Sequence, residues 1–281
     1  MNLLHAIILG AVEGITEFLP VSSTGHLTIA EKLLGYQIDA PGITAFTAIV
    51  QIGSIVAAVV YFWSDIWRVA AAWLAGLFNT TKRSNFDYKL GWYVILGSIP
   101  IAIIGLLLKK DIETVFRSLW FVVAGLLAWS AVMWLADRHE AAQTKKKHER
   151  DVSMTDALVI GVIQCFALIP GVSRSGATIS AGLFRGLDRV TATRLSFFLG
   201  IPALVAAGSL ESITQAKHIS EGIGWPATIV ATIVAFVVGY AAIAWLIKFI
   251  SRHTFSLFIW YRIALALAIV GLLMSGAIGA V

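Results

Sequence analysis

Six apolar stretches constrain this chain more than any other feature: 43–63, 91–108, 119–136, 192–210, 225–247 and 257–280. A hydrocarbon core of about 30 Å takes roughly 20 helical residues to cross, and each stretch is near that length. None alternates polar and apolar residues as a barrel strand would. Lipid offers no partner to an open backbone, so helices are the expected spanning elements. Composition agrees: the 281 residues are 58% hydrophobic and only 13% charged, against about 25% charged in soluble domains. Mean hydropathy is +0.85. The sequence therefore predicts an all-α polytopic membrane protein, a single membrane domain over 1–281 with about six spanning helices. Eight tryptophans fall near segment ends, as interfacial anchors do. A short aromatic piece, 66–78, is expected to lie at the interface. The N-terminus does not read as a signal peptide, because it lacks a basic start and carries Glu13 and Glu17 inside its apolar run. The one cysteine, Cys165, permits no internal disulfide and reads as packing. No basic domain is large enough to grip a duplex, so no nucleic-acid partner is expected.

Two further apolar segments repeat each other. HAIILGAVEGITEFLPVSSTGHLTI (5–29) and DALVIGVIQCFALIPGVSRSGATI (156–179) align at an offset of 151. The offset pairs Gly10 with Gly161, Glu13 with Gln164, Ser22 with Ser173, Ser23 with Arg174 and Gly25 with Gly176. Each copy is a short apolar piece (3–19, 157–169), a Pro/Ser/Gly break, and a second short piece (26–34, 177–184). Helix, break, helix at half-membrane length predicts two re-entrant hairpins, with an ordinary kinked pair of spanning helices as the alternative. Irregular backbone at that depth is tolerated only inside protein or beside a polar cavity. The internal repeats are taken as approximately 1–136 and 152–281, flanking a basic loop at 137–156.

Charge placement bears on orientation. Segments 64–90, 137–156, 185–194 and 248–262 hold 15 of the 21 Lys and Arg, Arg262 among them. The other side would hold Lys32, Lys109, Lys110, Arg117 and Lys217, and Arg174 belongs to neither set. If both hairpins return to the side they entered from, the basic loops are cytoplasmic. The two hairpins then dip from opposite sides, an inverted-topology repeat whose breaks can meet near the midplane.

The breaks carry the chemistry. Glu13 and Glu17 are one helical turn apart and share a face. Two carboxylates in an apolar segment need a cation or donors. A divalent metal such as Mg²⁺, which takes hard oxygen ligands and shares them with phosphate, is the economical answer. A buried hydrogen-bonded pair and a proton or sodium relay are the alternatives. Ser22, Ser23, Thr24 and Gly25 follow Pro20, and free N–H groups at such a helix start attract phosphate. The mirror turn adds Ser173, Arg174 and Ser175. A guanidinium at membrane depth is costly, and a bidentate phosphate clamp would offset that cost. A salt bridge from Arg174 to Glu13 or Glu17 that only closes the core is the plainer reading. His26 can carry a proton or attack phosphorus. Ser23 can be the nucleophile with His26 taking its proton, and an activated water is equally allowed. Thr28, Thr178 and Gln164 can supply neutral donors, or merely satisfy freed backbone groups. Gln51 can line the same cavity. His5, His139, His148, His218 and His253 suggest no site.

The segments GAVEGITEFLPVSSTGH (10–26) and PGVSRSGAT (170–178) closely resemble the signatures of the undecaprenyl-pyrophosphate phosphatase, or bacitracin-resistance, family. The likeness extends over essentially the whole chain, to WYRIALALAIVG near its end. The resemblance implies hydrolysis of undecaprenyl pyrophosphate to undecaprenyl phosphate and inorganic phosphate. That reaction recycles the lipid carrier of cell-wall synthesis. It further implies a multi-pass protein of the bacterial inner membrane, a divalent cation (Mg²⁺ or Ca²⁺), and a pocket opening to the periplasmic side. Glu13, Glu17, Ser23, His26, Ser173, Arg174 and Thr178 match the family's functional positions. Partners are then a polyprenyl pyrophosphate lipid and the bilayer, with self-association left open. The rival reading is an inverted-repeat transporter or flippase for an anionic lipid or small anion.

Overall fold

The computed structural model describes residues 1–38, 40–108 and 118–280. Among them are eleven α-helices and no strand. They are α1 Leu3–Phe18, α2 Ser23–Leu33, α3 Pro41–Tyr61, α4 Trp63–Phe78, α5 Phe86–Leu107 and α6 Leu119–Ala142. Then follow α7 Met154–Gln164, α8 Arg174–Phe184, α9 Arg189–Glu221, α10 Trp225–Ile250 and α11 Ser256–Met274. Six of these, α3, α5, α6, α9, α10 and α11, are long and apolar enough to cross a membrane. The expected all-helical polytopic architecture is present.

Several ends differ from the hydropathy pattern. Helix α6 continues to Ala142, so the basic loop begins later than 137. Helix α11 stops at Met274, short of 280, and α9 runs past 210 to Glu221. Lys109, Lys110 and Arg117 lie outside the described residues. Local chemistry explains the starts. Pro41 opens α3, where its missing N–H costs nothing. A capping box between Ser153 and Asp156 opens α7, and Asp188 caps α9 through the Thr191 N–H.

The two repeated segments adopt matched conformations. Helix α1 starts at residue 3 and α7 at 154, while α2 starts at 23 and α8 at 174, each pair 151 apart. Where α1 continues unbroken, α7 passes into a 3₁₀ turn, Cys165–Leu168. Between the helices of each pair stands a serine with positive φ: Ser22 at 77° and Ser173 at 75°. They are the only non-glycine residues with positive φ among the described residues. Such a conformation costs on the order of 1–3 kcal/mol and persists only where surroundings enforce it. Each serine repays the turn locally by capping the helix it starts: Ser22 Oγ accepts from Gly25 N at 3.4 Å and Ser173 Oγ from Gly176 N at 3.2 Å. That capping is why α2 and α8 begin three residues before the apolar pieces 26–34 and 177–184.

Packing draws the hairpins against long helices at glycine contacts. Helix α1 packs on α10, and α7 on α5. A Cβ at Gly10 would strike the Ala231 carbonyl, and one at its repeat mate Gly161 would strike Gly97. Not every glycine serves this way: Gly271 in α11 has open space around it. At the centre, Phe18 meets Phe197 edge to face at 5.5 Å, and Phe62 packs on Phe197 and Phe198. Gly53 is the tightest seat between α3 and α10, facing the Thr232 carbonyl with the Phe236 N–H 3.1 Å from where a Cβ would stand. Gly53→Leu is expected to lower stability by about 2 kcal/mol through overpacking. It should show as a depressed thermal midpoint in detergent, and an unchanged midpoint would refute that close approach.

Three of the four basic segments are tied together at one end by ion pairs. Arg68 binds Asp65, Asp87 and Glu149, and Arg194 reaches Asp65 at 2.8 Å. Arg185 and Lys147 both hold the buried Asp156, at 2.7 and 3.1 Å. Arg189 spans Asp137 and Glu140.

Candidate active site

A cavity of about 480 Å³ opens beside both breaks. One wall is polar: Glu17 from α1, Ser22, Ser23 and Thr24 from the first turn, Ser173 and Arg174 from the second, and Gln51 from α3. The remaining wall is apolar and small-residued, with Ala102 and Gly105 of α5, the 3₁₀ turn of 165–168, and Ala203, Ala206 and Leu210 of α9. The N-termini of α2 and α8 therefore meet at one cavity, and both direct unpaired backbone N–H groups toward that end of their helices.

Glu17 is the hub. It is 6% exposed. Its Oε2 accepts the Ser23 hydroxyl at 2.7 Å and the Gln51 amide at 3.5 Å, and its Oε1 accepts Arg174 Nη2 at 3.3 Å. This one carboxylate gathers groups from α1, α2, α3 and α8. Arg174 is seated by what α9 lacks: a Cβ at Gly200 would collide with the guanidinium. Its Nη1 donates to the Ser196 carbonyl at 3.4 Å, while its Nε is buried without a partner. The salt bridge to Glu17 that the plainer reading expects is present, and both of its residues line the cavity.

Glu13 lies one turn away, 1% exposed, and its Oε1 has no hydrogen-bond partner. Ser54, also buried with an unpartnered hydroxyl, is its neighbour. Gln164, the repeat mate of Glu13, is fully buried with both side-chain polar atoms unpartnered. An orphaned buried carboxylate beside a second carboxylate fits a hard divalent cation, with Glu13 and Glu17 as the protein ligands. Among the described residues no group of three or more His, Cys, Asp or Glu could enclose an ion alone. Phosphate oxygens and water would have to complete its shell.

The other residues singled out from sequence are placed differently. Thr28 bonds back to the Thr24 carbonyl at 2.8 Å. Thr178 is buried, bonding the Arg174 carbonyl at 2.8 Å and Ser196 Oγ at 2.5 Å, so it staples α8 to α9. Ser175 is buried and donates to the Leu19 carbonyl at 3.1 Å, joining the second turn to the first break. None of Thr28, Ser175, Thr178 and Gln164 is in the cavity wall. His26 is also outside it. His26 Nδ1 is 2.7 Å from the Ser22 carbonyl, which can only accept, so the proton sits on Nδ1. In the neutral ring, Nε2 then accepts from the Tyr261 hydroxyl at 2.7 Å. His5, given no partner from sequence, contacts the Tyr36 hydroxyl at 2.8 Å, and His148 contacts Asp188 at 2.8 Å.

Sequence reasoning missed Tyr261 and misplaced Arg262. Arg262 is not in a basic loop: it is inside α11 and 0% exposed. A lone arginine within an apolar run was itself the available signal, since it is too costly to leave in lipid.

Comparison with known proteins accords with this geometry. The model of the family described as Bacitracin resistance protein BacA matches residues 6–268. A relative named undecaprenyl-diphosphatase 3, from Frankia casuarinae, is 59% identical over 280 residues, covering 100% of both chains. Undecaprenyl-diphosphatases of Cutibacterium acnes and Acidothermus cellulolyticus are 57% and 51% identical, each also covering 100% of both chains. With two broken turns of one shape meeting at a polar cavity and full-length likeness at this level, the chain belongs to the bacitracin resistance protein BacA family.

Proposed function

We propose that this protein hydrolyses undecaprenyl pyrophosphate to undecaprenyl phosphate and inorganic phosphate. The names of its full-length relatives support the reaction. The observation that carries the chemistry is Glu17 holding a serine hydroxyl on one oxygen and a guanidinium on the other. The pyrophosphate head sits between the two turns, and the polyprenyl tail runs along the apolar wall of α5 and α9.

Phosphoryl transfer depends on position and on positive charge more than on exotic groups. Arg174 binds the terminal phosphate, using its unpartnered Nε and the arm it now gives to Glu17. The first-turn N–H groups of α2 and α8 supply further donors to the oxygens. Glu17 takes the proton of Ser23 as Ser23 Oγ forms a bond to the terminal phosphorus. The bond from that phosphorus to the bridging oxygen breaks, and the bridging oxygen leaves on undecaprenyl phosphate. Glu17 releases the Ser23 proton to the departing undecaprenyl phosphate. It then takes a proton from the water that attacks the phosphoserine and returns it to Ser23 Oγ as the serine–phosphorus bond breaks, and inorganic phosphate leaves with Ser23 restored. In the resting arrangement His26 serves the turn through Ser22; it can accept a proton at Nε2 only once Tyr261 lets go. A divalent cation held by Glu13 and Glu17 would neutralise charge on the pyrophosphate oxygens.

The ion-paired basic end supports one orientation. The positive-inside tendency puts that end in the cytoplasm of the bacterial inner membrane, with the cavity opening toward the periplasm. The test is phosphate release by purified protein from undecaprenyl pyrophosphate, with and without exhaustive chelation. Release is expected, and chelation should abolish nearly all of it until Mg²⁺ or Ca²⁺ is restored. No release under any cation refutes the hydrolase; full release after chelation refutes only the cation. Phosphate on Ser23 in a rapidly quenched reaction is the expected intermediate, and its absence under saturating substrate would move the attack to water.

A further inference from the structure

We infer that Arg262 is the positioning residue that holds the two broken turns in register with each other. Its Nη1 donates to the Pro20 carbonyl at 3.1 Å and its Nη2 to the Gly171 carbonyl at 2.8 Å. Pro20 and Gly171 are 151 residues apart, the offset of the internal repeat, so one side chain grips the same carbonyl in both copies. The rest of the guanidinium is anchored on α6. Nε donates to Ser130 Oγ at 3.1 Å, and Nη2 also reaches the Gly125 and Leu126 carbonyls at 3.2 and 3.3 Å. Gly125 permits this arrangement, because a Cβ there would strike the Pro170 carbonyl.

The energetics point the same way. Arg262 is wholly buried, and no carboxylate pairs with it among the described residues. An unpaired buried charge costs more than an apolar residue of similar volume, so packing alone does not favour arginine here. What the guanidinium does uniquely is satisfy several carbonyls at once in a fixed planar fork. Pro20 and Gly171 both lie in breaks, beyond the helices that could pair them. Arg262 does not touch the cavity. It acts through the turns that carry Ser23 and Arg174, each three residues beyond the carbonyl it holds.

The kinetic side of this inference rests on the hydrolase reading; the structural side does not. Both are tested in Arg262→Met and Arg262→Lys, purified as the full chain in detergent. Hydrogen–deuterium exchange should accelerate at least about tenfold in both 19–25 and 170–176 of Arg262→Met, with α3 and α10 unchanged. Exchange that rises in only one turn, or in neither, overturns the inference even if the protein proves to have another activity. Phosphate release should fall about 100-fold in kcat, the scale of a small misplacement of reacting groups. KM should move by less than about threefold, because the apolar wall still holds the tail. Lysine keeps the charge but cannot span both carbonyls and α6, so Arg262→Lys should lose most of kcat as well. Wild-type kcat in that variant, or a loss that only tracks the fraction of folded protein, overturns the positioning role. Should Arg262→Met fail to accumulate, Ser130→Ala removes one anchor and is expected to give the same paired exchange response at smaller amplitude; no response there also overturns it.

Discussion

Arg174→Lys is expected to lower kcat for phosphate release by about 100- to 1,000-fold, the range for losing one aligned electrostatic donor in a transition state. The charge is retained, so long-range attraction for the pyrophosphate survives. What is lost is the fork. A lysine ammonium is a point donor; it can stay on Glu17 or reach phosphate, but it has no second nitrogen that keeps the geometry while the first changes partner. The seat matters as well as the residue. Gly200 is bare where the guanidinium lies, so Gly200→Ala should displace Arg174 and reproduce part of the loss with the arginine intact. Steady-state phosphate release decides this. Wild-type kcat in Arg174→Lys would reject recognition by the fork, and wild-type kcat in Gly200→Ala would reject the seat.

Glu17→Gln is the second large effect. An amide cannot take the Ser23 proton, and loss of a general base costs roughly 100- to 10,000-fold. The amide's N–H group also faces Arg174, so a buried guanidinium loses its counter-charge. Removing one partner of a buried pair typically costs about 3–5 kcal/mol. Arg174 lines a cavity that water can enter, and its side chain is 11% exposed, so the loss of stability should fall below that range. Glu13→Gln separates the two carboxylates. It removes an orphaned charge beside Glu17, so thermal stability should hold or rise while the cation requirement shifts to higher concentration. Equal loss of turnover at saturating cation in both variants would refute the further role of Glu17 as base.

Much of the architecture was legible because the signals are local. Six apolar stretches marked the six long helices to within a few residues at most ends, and the repeat marked both broken turns. Ends were less legible where a polar side chain, rather than hydropathy, starts the helix. Ser22 and Ser173 belong to the breaks by composition, yet they cap α2 and α8 and so move both starts back by three residues. The site was partly legible for the same reason. Glu17, Ser23 and Arg174 announced themselves as costly or unusual groups in lipid, and they converge. Thr28, Ser175, Thr178 and Gln164 looked alike on composition. Only three-dimensional placement shows that none of them faces the cavity: Thr28, Ser175 and Thr178 bond protein, and Gln164 is buried with its amide unpartnered.

Arg262 shows where sequence reasoning stopped. Counting charges by loop put it on a cytoplasmic face, because the count sees sign and position along the chain but not acceptors. Its acceptors are 242, 136, 137 and 91 residues distant, at Pro20, Leu126, Gly125 and Gly171. The sequence by itself determined that this protein crosses the membrane as helices, breaks them twice in the same way, and puts acids, serines and an arginine at the breaks. Hydropathy and turn chemistry are properties of neighbouring residues, and neighbours are what a sequence displays. The tertiary structure decided which of those groups share a cavity, that Glu17 accepts the Ser23 hydroxyl while His26 faces Tyr261, and that one buried guanidinium joins the two turns. Those outcomes depend on which distant carbonyls and hydroxyls satisfy each buried polar group.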